Sequence, residues 1–185
     1  MTAKHKLTEK TLSEKTVFPG RIFEVAVKDV ELPDNKLAER EVIHHNGGAA
    51  VVALSNDHDV YLIKQFRTSF ETILTEIPAG KLEPDEDPLA CAKRELTEET
   101  GSTAGHWRLL HKIYPSPGYL DEILYVYLAT DLTEGEATPD PGEFIQCEKR
   151  KIEDIYRAVM AGEINDAKTV IGILSTMALI RDGEV

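Results

Sequence analysis

Between Asp87 and Gly101 the chain carries a helix whose two ends are written into it. Asp87 can accept from the free amides of a first turn, Pro88 suits the first helical position, and Gly101 offers a left-handed stop. Leu89, Ala92 and Leu96 form an apolar stripe with seven-residue spacing, and Glu95, Glu98 and Glu99 fall at i, i+3 and i+4 beside it. Like charges at that spacing weaken a helix. Taken alone, such a turn reads as a solvated face. Set beside a buried edge, it is better understood if a hard divalent cation with oxygen ligands neutralises the carboxylates.

The surroundings decide between these readings. Gly80, Glu86 after five intervening residues, Arg94-Glu95-Leu96 after seven more, Glu98-Glu99 and Gly101 closely resemble the Nudix box of nucleoside-diphosphate-linked hydrolases. Eight of its nine defining positions match; the ninth asks for an apolar residue and holds Ser102. That departure lies past the helix stop, where it bears on packing and not on a metal site.

A chain of 185 residues suits one domain with a true core and a small appendage. Its formal net charge of -12 opposes nonspecific contact with nucleic acid or an anionic membrane, so an anionic substrate has to be met by placed arginines and metal. No segment is long and apolar enough to span a bilayer, and the polar start through Lys15 lacks the apolar stretch of a signal peptide, which points to a cytoplasmic protein. Cys91 and Cys147 are too few for a disulfide framework. The six histidines are scattered and form no metal set; packing or solvent contact is their expected role.

In order along the chain, residues before Thr16 read as a loose arm, and residues 17–45 as a hairpin turning at Pro33-Asp34-Asn35-Lys36. Such a hairpin reads either as a dimer-forming element or as a plain edge hairpin. Residues 49–54 and 60–66 read as buried strands, with Arg67 at a strand end either clamping phosphate or standing on the open surface. Residues 72–78 form a short strand leading into Gly80, a position where the backbone can approach a ligand and the Ala79 carbonyl can join a metal shell. Strands over 106–114 and 123–129 flank the stiff loop Pro115-Ser116-Pro117-Gly118. Residues 133–142 read as a mobile acidic loop ending in Glu143, hinged at Gly142 after Asp140-Pro141, with Phe144-Ile145 anchoring its far end. Helices are predicted over 152–161 and 166–181.

The resemblance to the Nudix superfamily implies an α/β fold, a mixed β-sheet sandwiched between α-helices with an N-terminal β-hairpin subdomain, divided as residues 1–45 and 46–185. Gln65-Phe66-Arg67, Glu76 to Gly80, Ser116-Pro117-Gly118 and Gly142-Glu143-Phe144 are similar to segments of the ADP-ribose pyrophosphatases, and Pro117 stands where that group carries a proline. This implies hydrolysis of ADP-ribose to AMP and ribose 5-phosphate with Mg²⁺, Mn²⁺ or a similar ion. Glu95, Glu98, Glu99 and the Ala79 carbonyl match the metal ligands, and Glu98 and Glu99 count with Glu143 as catalytic. Glu86 and Arg94 match positions that orient the loop and helix. Arg67 matches a diphosphate-binding arginine, Ser116 and Gly118 the loop against the ribose end, and Arg21 and Arg40 the adenine contacts supplied by the hairpin of a homodimer. Glu143 is the leading general base and Glu122 its competitor. Other readings are hydrolysis of another nucleoside diphosphate sugar or a dinucleotide coenzyme, and a non-catalytic ADP-ribose sensor.

Overall fold

The computed structural model describes residues 7–140 and 142–185, so the calls on His5 and Pro141 lie outside the described residues. The backbone forms two compact units, one holding the described residues up to Gly47 with Tyr114–Ile123, the other Gly48–Ile113 and Leu124–Val185. Sequence alone places a division after residue 45 and leaves the 114–123 loop in the second part.

The first unit is built on strands β1 (Lys10–Pro19), β2 (Phe23–Glu31) and β3 (Leu37–His45), antiparallel in that order. It is thus a three-stranded sheet, and the expectation of a loose arm before Thr16 is corrected from Lys10 onward: Lys10 pairs with Glu31 and the ladder runs to Pro19 opposite Glu24. Every residue of β1 is exposed, so the hydrophobic alternation that marks a half-buried strand is missing from its sequence.

The second unit contains β4 (Gly48–Ala53), β5 (Asp59–Arg67), β6 (Thr72–Glu76), β7 (Ala79–Lys81), β8 (Thr103–Ile113), β9 (Leu124–Thr133) and β10 (Ile145–Lys151), with helices α1 (Pro88–Thr100), α2 (Ile152–Met160) and α3 (Ala167–Arg181). Its strands form two sheets, ordered β7-β4-β9-β8 and β10-β5-β6. β4 and β9 run parallel and the other neighbours antiparallel. β10 escaped the sequence reading because its Cys147 to Lys151 stretch is almost wholly polar or charged.

β4 is buried along its whole length because it is covered on both faces. Ala50 and Val52 pack with Ile152, Ile155, Ile173 and Met177 of α2 and α3, whereas Ala49, Val51 and Ala53 pack with Cys91, Ala92 and Leu96 of α1. Alternate side chains thus feed two cores. Burying a side chain such as Leu96 contributes about 1.5–3 kcal/mol, so α1 is pinned against the sheet by its stripe.

Candidate metal and diphosphate site

α1 begins and ends where its sequence says. Asp87 accepts from the amides of Leu89 (3.0 Å) and Ala90 (3.1 Å), and Gly101 takes φ 74°, a left-handed conformation in which a side chain is strained. Docking of the apolar stripe draws the neighbouring acidic edge inward. Glu95 and Glu99 are buried, the latter 3% exposed, and Glu98 is half-buried.

Burial raises the Glu95 carboxyl. It pushes Glu99 up to about 8, with the Glu95 and Glu143 charges adding to the rise and the bond from the Ala79 amide to Glu99 Oε2 (2.9 Å) opposing it. Gly80 serves Glu95 by its size: a Cβ there would stand 1.7 Å from Glu95 Oε1. The backbone next to Ala79 and the Glu95 carboxylate therefore occupy one small space.

Arg94 collects the acidic groups. Its Nη1 donates to Glu95 (2.6 Å) and Glu98 (2.9 Å), and Nε and Nη2 donate to Glu86 (3.1 and 3.2 Å). Arg94 thus ties the box loop to the helix, and its guanidinium holds the Glu86 carboxyl below its usual range. Among the described residues no three acidic, histidine or cysteine side chains form a ready cage for an ion. Glu95 and Glu98 are instead engaged by the Arg94 guanidinium, and Glu99 by the Ala79 amide. Hard oxygen donors crowded at one buried edge, one of them raised toward neutrality, still fit a divalent cation.

Arg67 is not a bare surface arginine. Its Nε and Nη2 both donate to Glu76 at 2.7 Å, and Glu76 is 3% exposed and also paired with Lys168. Burial alone would raise the Glu76 carboxyl, yet the two cations outweigh it and hold it at about 2. Sequence reading placed Glu76 in a family-like segment without a role and missed Lys168, because residues nine and ninety-two positions apart carry no shared periodicity.

Glu143 lies on the loop that joins β9 to β10, where Gln65 Nε2 donates to it at 3.3 Å. Its charge is among those that raise both Glu95 and Glu99. It also borders an open cavity of about 480 Å³ with Phe66, Ile73 and Phe144. The loop read over residues 133–142 touches its neighbours in its first part. Thr138 N–H donates to the Glu98 carbonyl (2.9 Å), Glu134 pairs with Lys149, and the Gly135 carbonyl packs so near Gly101 that a Cβ there would stand 2.5 Å from it. Nor does Phe144 anchor the far end by burial, being 89% exposed; Ile145 does so by entering the ladder opposite Gln65.

The remaining candidates belong to the first unit. Arg21 lines a cavity of about 380 Å³ with Phe23, His44, His45 and Asp121, whereas Arg40 is engaged by Glu9 through two bonds (3.1 and 2.6 Å). The Ser116 carbonyl accepts from Tyr119 and Leu120, closing a turn, and Gly118 lines a second cavity of about 380 Å³ with Val42, Pro117 and Tyr119. Glu122 faces His45 (3.3 Å). His44 is not merely packed: its ring bonds Asp121 (2.5 Å) and Glu14 (3.0 Å), and the Asp121 bond raises its pKa. Cys91 is fully buried and its thiol is pushed up to about 12 by that burial, which leaves it inert.

Residues 44–170 match the family model described as the NUDIX domain, and residues 9–43 match that of the nucleoside diphosphate sugar hydrolase N-terminal domain. The chain is 41% identical to an ADP-ribose pyrophosphatase of Bacillus subtilis over 90% of its own length and 91% of that protein's. It is 38% identical to a methanol dehydrogenase activator of Bacillus methanolicus, covering 89% of this chain and 90% of the relative. A crystal structure of an ADP compounds hydrolase superposes with a TM-score of 0.82 over 97% of this chain and 98% of that one, at 23% identity, a likeness of fold. The NUDIX match spans the acidic helix, Gly80, Arg67 and Glu143, and on that ground the chain belongs to the Nudix family.

Proposed function

We propose that the chain is a cytoplasmic ADP-ribose pyrophosphatase that hydrolyses the diphosphate linkage of ADP-ribose to AMP and ribose 5-phosphate with Mg²⁺. The observation that carries this reading is the buried pair Glu95 and Glu99, set beside Gly80 and within electrostatic reach of Glu143. Glu95, Glu98, Glu99 and the Ala79 carbonyl would hold the ion, which when bound cancels diphosphate charge and acidifies water. Mn²⁺ or a similar ion would suit the same oxygens.

The chain's own groups supply the rest. Arg67 offers a fixed positive charge for the diphosphate, where negative charge accumulates in the transition state. Glu143 accepts a proton from the water whose oxygen bonds to phosphorus while the bridging P–O bond breaks. Arg94 and Glu86 hold helix and loop in register. The Ser116-Gly118 turn takes the ribose end, and Arg21 and Arg40 belong to the adenine side, contributed by the first sheet within a homodimer. Exposed Leu12, Val17 and Phe18 in that sheet, with Ile22 in its first turn, support an interface between copies.

Hydrolysis of another nucleoside diphosphate sugar is the competing reading, supported by the description of the N-terminal family model. Pure sensing is disfavoured, because three carboxylates that weaken a helix serve no purpose in simple binding. With Mg²⁺ present, ADP-ribose, other nucleoside diphosphate sugars and dinucleotide coenzymes would be assayed for product by chromatography. AMP and ribose 5-phosphate formed fastest from ADP-ribose are expected. Faster cleavage of another compound would replace the substrate, and tight binding without products would replace catalysis by sensing.

A further inference from the structure

A buried lysine is a costly component for a core, and Lys168 has an 11% exposed side chain in the first turn of α3. Its ammonium is paired with Glu76 and lies 3.0 Å from Asp166 Oδ1. Asp166 is the cap of α3, accepting from the Thr169 amide (3.0 Å) and hydroxyl (2.6 Å), and the Thr169 hydroxyl in turn accepts from the Ile77 amide (2.8 Å). Both the Glu76 carboxylate and the backbone following it are therefore fastened to one helix end.

On its other side Glu76 grips Arg67 through Nε and Nη2 in a two-pronged ion pair. An arginine at a strand end otherwise samples many rotamers, and a clamp that must meet a diphosphate in one geometry gains from a rigid support. Two cations and two anions balance, so Lys168 allows Glu76 to stay ionised while bonded to Arg67. We propose that Lys168 is a positioning residue that acts through Glu76 to hold the Arg67 guanidinium in place for the substrate diphosphate. This rests on the reading of Arg67 as a diphosphate ligand.

The test is a double-mutant cycle on the full chain with saturating Mg²⁺ and varied ADP-ribose, using Lys168→Met, Arg67→Ala and the pair. Lys168→Met should lower kcat/KM about tenfold, with a fall in kcat as well as a rise in KM, and should change it less than about twofold once Arg67 is Ala. Lys168→Gln, which keeps a polar end but removes the charge facing Glu76, should show the same dependence on Arg67 and serves where Lys168→Met does not fold. Equal losses in both backgrounds would mean that Lys168 acts only on the fold and would overturn the inference. A wild-type Lys168→Met beside an impaired Arg67→Ala would sink the positioning role alone. An unimpaired Arg67→Ala would remove the diphosphate reading of Arg67, and this inference with it.

Discussion

Gly80 and Glu95 share one space: a Cβ on the glycine would lie 1.7 Å from Glu95 Oε1 and 1.9 Å from its carboxyl carbon. Gly80→Ala must therefore push the carboxylate out of place. Divalent-ion affinity measured by calorimetry should drop about tenfold or more with the fold retained, as for other changes that misorient a ligand. Unchanged affinity would remove Glu95 from the metal set.

The Glu99 carboxyl, raised to about 8 by burial, keeps its proton at neutral pH until an ion displaces it. Ion affinity should then climb about tenfold per pH unit below about pH 8 and level off above it. The sign for the ion-free fold is opposite: a raised carboxyl stabilises below its unfolded value and that gain is lost as pH rises toward about 8. Glu99→Gln should abolish the climb and lower turnover with the fold intact. Full turnover of this variant at low Mg²⁺ would refute the assignment.

Glu143→Gln should reduce turnover about a hundredfold to ten-thousandfold while Mg²⁺ and ADP-ribose still bind. Glu122→Gln, which loses the charge facing His45, should stay near wild type in turnover. Rapid-quench rates for both variants decide between them, and the reverse pattern would transfer the base to Glu122.

Ser102 is fully buried, and among the described residues its hydroxyl has no hydrogen-bond partner. Ser102→Ala removes an unsatisfied group, so stability should rise by about 1 kcal/mol and Tm by about 2–4 °C in a thermal melt. A lower Tm would mean that the hydroxyl is bonded in solution.

Phe18 is 53% exposed on β1 and stacks obliquely with Phe23 at 6.1 Å between ring centroids. If the first sheet joins two copies, Phe18→Glu should shift light scattering from dimer to monomer and reduce ADP-ribose turnover together. A fully active wild-type monomer at assay concentration would exclude the dimer.

Local chemistry in the sequence was enough to specify α1. Its cap, its stop, its stripe and its acidic edge all depend on residues within a turn or two of one another, and the box spacing carries the loop before it. The continuous apolar runs likewise announced β4 and β5, because a strand covered on both faces has no polar side to hide it. Strands lacking a buried face gave no such signal: β1 is exposed throughout, and β10 is made largely of charges. Only the tertiary structure decided the partners of those charges. Glu76 meets Arg67 because β5 and β6 pair, and it meets Lys168 because α3 begins there; Thr138 reaches Glu98 because a loop folds back on a helix end. Such contacts join segments far apart in the chain, and their energy arises only after the apolar faces have brought the elements together.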